Sequence, residues 1–146
     1  MDTFIRRILV PTDFSETADE ALEYARKLGA HVGASLHLLH VMHEPLLAEG
    51  VIAETNIAVA PSLHDETVAE TRRGLACRSA GTASAEFTAG DTVTNIVSYA
   101  SRLRADLIVM GTRGRTGIAH LLLGSVAEHV VRMAPCPVVT VRQAAG

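Results

Sequence analysis

The sequence predicts an α/β domain built on a parallel sheet with helices on both faces. Short apolar runs alternate with segments of helical spacing, and the runs are continuous, as in strands covered on both faces. Parallel strands need a crossover connection, which is usually a helix packed on the sheet. At 146 residues the chain matches the usual size of one domain with one sizeable core. We therefore expect a single domain over residues 1–146.

Composition argues against several classes of function. The net charge is −3, no basic cluster suits a nucleic-acid backbone, and aromatic residues make up only 3%, without a tryptophan. The start MDTFIRRILVPTDFS does not have the pattern of a signal peptide, and no apolar run approaches the roughly 18 residues of a membrane span. Cys77 and Cys136 lack a metal or disulfide spacing and are interpreted as free thiols. We expect a cytoplasmic protein with no nucleic-acid or membrane partner.

The first part of the chain contains two predicted strands and one amphipathic helix. The first strand, RRILVPT, has a continuous apolar run that Pro11 ends, and the second strand is SLHLLHVM. The helix SETADEALEYARKLG stops at Gly29 and has its apolar residues at helical spacing: Ala18, Ala21, Leu22, Ala25 and Leu28. Segment 43–62 follows without clear periodicity. A connection of this length is uncommon inside a compact domain, so we interpret it as a variable lid or loop.

The second part continues the alternation of helix and strand. SLHDETVAETRRGLACRSAG is a predicted polar helix, ASAEFTA the third strand, ADLIVMG the fourth, SVAEHVVRMA a short helix and CPVVTVR the last strand. The helix DTVTNIVSYASRLR is predicted to bury one stripe of residues: Val93, Ile96, Val97, Ala100 and Leu103.

Two loops that follow predicted strands contain the candidate functional residues. PTDFS follows the first strand, and GTRGRTGIAHLLLGSV follows the fourth. In open α/β sheets, ligands bind outside the carboxyl ends of the strands, where the strand order reverses. If the first and fourth strands are neighbours, both loops line one crevice.

The glycine-rich loop suggests phosphate binding without a known lysine motif. Glycines let backbone N–H groups approach phosphate oxygens, and a helix N-terminus adds further donors. Ser125 caps that helix or lends its hydroxyl to a phosphate. The only lysine of the chain is Lys27, in the first helix, so neither a Walker A loop nor a GxGxxG turn is present. Arg113 and Arg115 either meet the phosphate charge or are solvated, and an ordinary glycine turn with a serine cap is the alternative interpretation.

Asp13 and the histidines are the other candidates for ligand, metal or catalytic roles. The Asp13 carboxylate can accept hydrogen bonds from ribose hydroxyls or help hold a hydrated cation, whereas its spacing to Glu16 also suits a helix-capping box. His37 and His40 point to opposite faces of a strand, so we expect no metal site made of histidines. No general base for attack on a γ-phosphate is recognisable, and efficient hydrolysis is not predicted.

Over nearly its whole length the chain resembles the universal stress protein family, in ILVPTDFSE, LHLLHV and ADLIVMGTRGRTGIAHLLLGSVAEHVVRMAPCPVVTVR. ATP-binding members of that family carry Gly-x2-Gly-x9-Gly followed by Ser or Thr, and Gly111, Gly114, Gly124 and Ser125 stand at that spacing. Asp13 matches an aspartate that these members carry after the first strand. The resemblance implies an adenine nucleotide alpha hydrolase-like fold, a five-stranded parallel sheet of order 3-2-1-4-5, with the nucleotide in the crevice.

The resemblance also implies site residues, a cofactor and a partner. Pro11, Thr12 and Asp13 would contact adenine and ribose, and Val41 would offer backbone hydrogen bonds to adenine. The remaining residues would line the ribose and phosphates: Met110, Gly111, Arg113, Gly114, Gly124, Ser125 and Val126. The implied ligand is ATP or another adenine nucleotide, and Mg or Mn on the phosphates is compatible with it. A homodimer would form through the last strand, Pro137 to Arg142, and the family's regulatory role implies a further, unknown protein partner.

Three functions remain open at this point. The first is a nucleotide-dependent regulatory dimer active in stress resistance, the second a slow ATPase or phosphotransferase, and the third a nucleotide-free structural dimer. The glycine motif beside Asp13 favours the first, because family branches that do not bind ATP typically lack the motif. Segment 43–62 would close over the nucleotide, bind a partner or cover the dimer core. After the third strand, AGDTVTN departs from the Gly-x-Pro common in the family, outside the nucleotide motif.

Overall fold

The computed structural model describes residues 4–43, 61–113 and 123–143, without the side chains of 61–64. Its elements are β1 (Arg7–Pro11), α1 (Glu16–Val32), β2 (Ser35–Met42), α2 (Pro61–Arg78), β3 (Ser84–Ala89), α3 (Thr92–Leu103), β4 (Leu107–Gly111), α4 (Ser125–Met133) and β5 (Val138–Val141). All the predicted strands and helices are present, with ends shifted by a few residues at most. Most of segment 43–62 lies outside the described residues, and its last two residues begin α2.

The five strands form one parallel sheet of order β3-β2-β1-β4-β5, which confirms the predicted fold class. The chain moves outward from β1 to β3 and then crosses back to β4, so the strand order reverses between β1 and β4. Helices α1 and α2 pack on one face of the sheet, and α3 and α4 pack on the other. The crossovers place both helical layers against one continuous sheet.

The central strand β1 has buried side chains on both faces, which explains its continuous apolar run. Ile8 and Val10 belong to the cluster under α1 and α2, whereas Leu9 belongs to the cluster under α3 and α4. All three are fully buried. Burying such a side chain stabilises the fold by about 1.5–3 kcal/mol, so the sheet is held from both sides.

Helix α1 ends later than the sequence predicts. Gly29 lies inside the helix and is buried, and a Cβ there would lie 3.3 Å from Leu36 Cδ2. Gly33 is the C-cap instead, in the left-handed region at a φ of 73°. The predicted stop at Gly29 was wrong because this glycine allows close packing of α1 against β2, and a helix ends where the backbone turns left-handed.

Cys77 and Cys136 are both free, as predicted, and burial raises the pKa of the Cys136 thiol. Among the helices described, none is both long and apolar enough to cross a bilayer.

Asp106 ties β4 to β1 at the amino-terminal edge of the sheet. Its Oδ2 accepts the backbone N–H groups of Arg6 at 2.9 Å and Arg7 at 3.0 Å, and its own N–H donates to the Arg7 carbonyl at 2.9 Å. The hydrogen bonds from these two backbone groups hold the pKa of the Asp106 carboxyl below its usual value. Asp106 therefore stabilises the fold mainly in its charged form.

We expect Asp106→Asn to destabilise the protein at neutral pH and to matter less in acid. Because the folded-state pKa is depressed, the carboxylate contributes stability above its unfolded pKa of about 3.9 and loses it as the pH falls through the folded-state value. The loss at about pH 7 should be near 0.5 kcal/mol, since solvent screens the charge. Urea unfolding of both proteins at about pH 7 and about pH 2 measures it. An equal penalty at both pH values would contradict this role.

Candidate functional site

Strands β1 and β4 separate toward the carboxyl edge of the sheet. They pair only between Ile8 and Leu107 and between Leu9 and Ile108. In contrast, β1 remains paired with β2 as far as Pro11, and β4 remains paired with β5 to its end. The last residues of β1 and β4 therefore diverge where the strand order reverses, and a gap of this kind is the usual ligand site of such sheets.

The loop after β1 is attached to β2 at Thr12. The Thr12 N–H donates to the Leu39 carbonyl at 2.8 Å, and the Thr12 carbonyl lies 2.7 Å from Nδ1 of His40. Thr12 Oγ1 in turn accepts the N–H of Phe14 at 3.0 Å. Thr12 is itself buried, so the start of the loop is held rigidly at the edge of the gap.

Asp13 follows at the mouth of the gap, half-buried. Its Oδ1 accepts the Ser15 N–H at 3.0 Å, which is a local turn rather than a helix cap. The N-cap of α1 is Ser15, whose Oγ accepts the Ala18 N–H at 3.2 Å. The capping-box interpretation of Asp13 with Glu16 was therefore wrong, because the chain turns once more, at Phe14, before the helix begins.

Val41 directs its peptide groups into the same gap. Residues of a parallel strand alternate in the side to which their N–H and C=O point, and the Leu39 carbonyl points to β1, where it accepts the Thr12 N–H. Val41 has the same parity as Leu39, and the last residue pair between the two strands joins Pro11 to Leu39. The Val41 N–H and C=O thus point to a side where β1 has already ended.

Gly111, at the end of β4, packs closely against α1. A Cβ at this position would lie 2.8 Å from Thr17 Cγ2 and 3.1 Å from the Thr17 backbone carbon. Thr17 is buried in the first turn of α1, so the glycine is required by the packing of helix on strand. This contact gives Gly111 a structural role that does not depend on contact with a ligand.

Gly124 returns the chain to the end of β4. Its N–H donates to the Thr112 carbonyl, and a Cβ would lie 3.0 Å from that oxygen and 3.5 Å from Arg113 Cα. Gly124 is also the N-cap of α4, without a side-chain hydrogen bond, and Ser125 is the first residue of the helix. Of the two roles considered for Ser125, the cap of α4 is wrong because the helix begins at this serine. The backbone N–H groups of the first turn have no partner within the helix, and no side chain among the described residues caps them.

A shallow cavity of about 380 Å³, open to solvent, lies between the first turn of α3 and one side of α4. It is lined by Ser125 and Val126 from the predicted set, and by residues that the sequence analysis did not select: Asp91, Val93, Thr94, His129 and Met133. The segment Pro11–Asp13 is not among its lining residues. The cavity is therefore only part of the carboxyl edge that the predicted residues occupy.

Asp91 and His129 give this cavity its polar side. Asp91 is the N-cap of α3 and accepts the Thr94 N–H at 2.9 Å; this bond lowers the pKa of the carboxyl, and nearby His43 and His129 lower it further. His129 Nδ1 lies 2.6 Å from the Ser125 carbonyl. Asp91 stands two residues after the end of β3, much as Asp13 follows β1, and this position in the sequence was the signal that could have pointed to it.

The structure places the predicted residues that it describes at one edge of the sheet. Val41 and Met110 belong to one buried cluster, and Val126 packs against it. Arg113 is half-buried at the end of the described part of its loop, and Gly114 and Arg115 lie outside the described residues.

The two strand histidines face opposite sides of β2, as the alternation predicts. His37 lies 2.7 Å from Ser84 Oγ, and burial, with Arg7 nearby, lowers its pKa. His40 stacks on Phe14 on the other face. The two rings therefore contribute to different layers of the fold.

Comparisons with known proteins match almost the whole chain to one family. The sequence model of the universal stress protein family matches residues 5–142. Universal stress protein MJ0531 of Methanocaldococcus jannaschii is 32% identical over 146 residues, covering 97% of this chain and 85% of that protein. The structure of hypothetical protein MJ0577 from the same organism has a TM-score of 0.78 at 28% identity and covers 98% of this chain and 99% of its own. A universal stress protein solved in complex with cAMP has a TM-score of 0.66 at 25% identity, with 96% and 99% covered.

We expect Gly111→Ala to lower the free energy of unfolding by about 1–3 kcal/mol, the usual cost of an overpacked contact. The added Cβ meets the Thr17 methyl group and also the Thr17 backbone, which cannot move without shifting α1. Chemical unfolding of the variant and the parent measures the loss. Adding Thr17→Ser should recover only part of it, because the backbone contacts remain, and an unchanged stability in Gly111→Ala would contradict the packing role.

Proposed function

We propose that this chain, which belongs to the universal stress protein family, binds an adenine nucleotide, ATP foremost, in the gap between β1 and β4. The observation that carries the proposal is the pair of groups on the two sides of this gap. Asp13 leaves β1 on one side, and the N-terminus of α4, which no described side chain caps, follows β4 on the other. Together they offer a carboxylate for sugar hydroxyls and backbone donors for phosphates.

Val41 and Asp13 suit the nucleoside part of such a ligand. A peptide C=O and N–H side by side complement the amino group of adenine and a neighbouring ring nitrogen, which are a donor and an acceptor. A carboxylate accepts hydrogen bonds from both ribose hydroxyls. In this proposal, Val41 selects the base and Asp13 the sugar, with Pro11 and Thr12 beside them.

Gly124, Ser125 and Val126 suit the phosphates. Backbone N–H groups at a helix N-terminus and the helix dipole favour anions. In this chain they would take the role that a lysine has in other phosphate-binding loops. Without a side chain at Gly124, an anion can approach the first turn of α4 closely. Arg113 would add positive charge, and Met110, Gly111 and Gly114 would line the ribose and phosphates. A hydrated Mg ion would bind the phosphates, because Mg keeps several waters and needs few protein ligands.

The relative solved with cAMP supports adenine nucleotides as the ligand class. Residues of this chain would bind and orient the nucleotide. Among the described residues we identify no side chain poised as a general base, so holding the nucleotide is favoured over cleaving it.

A homodimer through residues 137–142 completes the proposed function. β5 is the last strand of the sheet, and its four residues are only partly buried. The outer edge of such a strand presents unpaired N–H and C=O groups, which are a template for pairing with a second chain. Nucleotide occupancy at the neighbouring end of β4 would then influence the dimer, which gives the protein a regulatory rather than an enzymatic role.

We expect the parent protein to bind ATP, and Asp13→Ala and Gly124→Val to weaken binding about 10- to 100-fold, since a hydrogen bond to a charged group contributes about 1.5–3 kcal/mol. The first variant removes the sugar acceptor, and the second puts bulk where even a Cβ would lie 3.0 Å from the Thr112 carbonyl. Isothermal titration calorimetry with ATP, ADP and cAMP measures affinity and ligand preference. Asp106→Asn, at the opposite edge of the sheet, is the matched control and should bind like the parent.

Other outcomes of this experiment favour the two alternatives. Equal affinity in the parent and in both variants would contradict the proposed site. In a separate assay of phosphate release on the same proteins, release by the parent that is abolished in Asp13→Ala would favour a slow ATPase or phosphotransferase. A parent that binds none of the three nucleotides would favour the nucleotide-free structural dimer.

We expect Thr140→Pro to convert the dimer into a monomer without unfolding it. The Pro137 carbonyl accepts the N–H of Ile108 in β4, and the Val141 carbonyl accepts the N–H of Thr112 just after β4. Odd-numbered residues of β5 therefore face β4, and Thr140 directs its N–H to the open edge. Proline removes that donor and is tolerated on an edge strand. Size-exclusion chromatography with light scattering measures the mass. Val139→Pro, which removes a donor facing β4, should instead destabilise the fold, and a Thr140→Pro protein that stays dimeric would exclude this interface.

A further inference from the structure

We infer that helix α2 positions Asp13 for nucleotide binding through an anchor made of Phe14, His40, Gly74 and Arg78. This inference rests on the proposed function, because it assigns positioning residues to the proposed site. None of the four belongs to the residues predicted to touch the ligand. They come from the loop after β1, from β2 and from α2, and they meet around the ring of Phe14, the residue after Asp13.

The backbone at Phe14 needs such an anchor. Its φ is 66°, in the left-handed region that residues other than glycine seldom adopt. A backbone of this kind persists only where the surroundings hold it, and such positions cluster at functional sites. The turn at Phe14 is what allows Asp13 Oδ1 to accept the Ser15 N–H at 3.0 Å, so it sets the direction of the carboxylate.

The ring of Phe14 is held by three neighbours. The His40 ring stacks on it at 4.3 Å between centroids and 18° between planes, and the guanidinium carbon of Arg78 lies 4.8 Å from its centroid. The tip of the ring approaches α2 at Gly74, where a Cβ would lie 2.9 Å from Phe14 Cζ. The helix can come this close only because that position is a glycine.

Arg78 joins the anchor to α1. Its Nε and Nη2 form a fork with the Asp19 carboxylate at 2.6 and 3.2 Å, and Nη1 donates to the Gly74 carbonyl at 3.0 Å. Nη2 also donates to the carbonyl of Phe14 at 3.3 Å. One guanidinium therefore holds both the ring and the backbone of Phe14, and lysine could not reproduce this planar set of donors.

The two neighbours of Asp13 in the chain are thus both fixed. Thr12 is bonded to β2, and Phe14 is packed on α2. Releasing Phe14 frees the carboxylate to turn away while Thr12 and the sheet remain in place. The loss should therefore fall on the ligand groups that Asp13 contacts, the ribose hydroxyls, and not on the base or the phosphates.

The test compares the affinities for ATP and for 2′,3′-dideoxyATP, which lacks both ribose hydroxyls. Calorimetry is performed on the parent, Arg78→Met, Gly74→Ala and the control Arg72→Met. Arg72 lies on the same helix but covers Phe87, at 5.6 Å from the ring centroid. Gly74→Ala adds one methyl group that pushes on Phe14, although alanine is the better helix former, so a loss of binding there cannot come from a weaker helix.

The expected result is a loss of about tenfold in ATP affinity in Arg78→Met and Gly74→Ala, the scale of about one hydrogen bond to a charged group. Affinity for the dideoxy nucleotide should change much less, and Arg72→Met should bind both like the parent. Circular dichroism and thermal unfolding verify that each variant is folded.

Two results would overturn the inference while leaving the proposed function intact. One is an ATP affinity in both anchor variants equal to that of the parent, and the other is an equal loss for the two nucleotides, which would indicate a general structural effect. A parent that binds neither nucleotide refutes the proposed function itself, and the inference with it. Phe14→Gly separates strain from anchoring: it relieves the backbone at a φ of 66°, and the inference still requires ATP affinity to fall.

Discussion

Strands β1 and β4 share residue pairs only near their amino-terminal ends, where Asp106 also binds the backbone of Arg6 and Arg7. This short pairing is the constraint on which the rest of the site depends. Beyond Leu9 no residue pairs join the two strands, and the loops that follow them lead to helices in opposite layers. The gap that results is bordered by peptide groups and helix termini, which are the groups that bind a polar, anionic ligand well.

The glycines of the chain show how a motif and a packing requirement can share a residue. Gly111 stands in the phosphate-binding pattern, yet its missing side chain is explained by Thr17 of α1. Gly124 also stands in the pattern and lies against the Thr112 carbonyl, at the start of α4. In α1 two glycines have different structural roles: Gly29 allows close packing, and Gly33 adopts the left-handed conformation of the cap. A glycine count alone therefore does not distinguish contact with a ligand from contact within the protein.

The loop that contains Asp13 gains its order from elements distant in sequence. Phe14 is separated from Arg78 by 64 residues, and both the ring and the backbone carbonyl of Phe14 contact that arginine. Because α2 comes directly after segment 44–60, the helix that supports Asp13 is also the one that this connection leads into. The match to the family model covers residues 5–142, which include both the loop that contains Asp13 and the helix that supports it.

The sequence by itself determined the number, type and order of the elements, because apolar periodicity and continuous apolar runs reflect burial, which is local to each segment. It also identified Asp13 and the glycine-serine stretch as the candidate site, since both follow predicted strands. Tertiary structure alone decided which glycine ends α1, that Ser15 and not Asp13 caps it, that Gly124 and not Ser125 caps α4, and that Asp91 lines a cavity beside Ser125. It alone joined Phe14 to Arg78. These features depend on contacts between segments far apart in the chain, and no local pattern records which distant residue fills the space beside a given backbone atom.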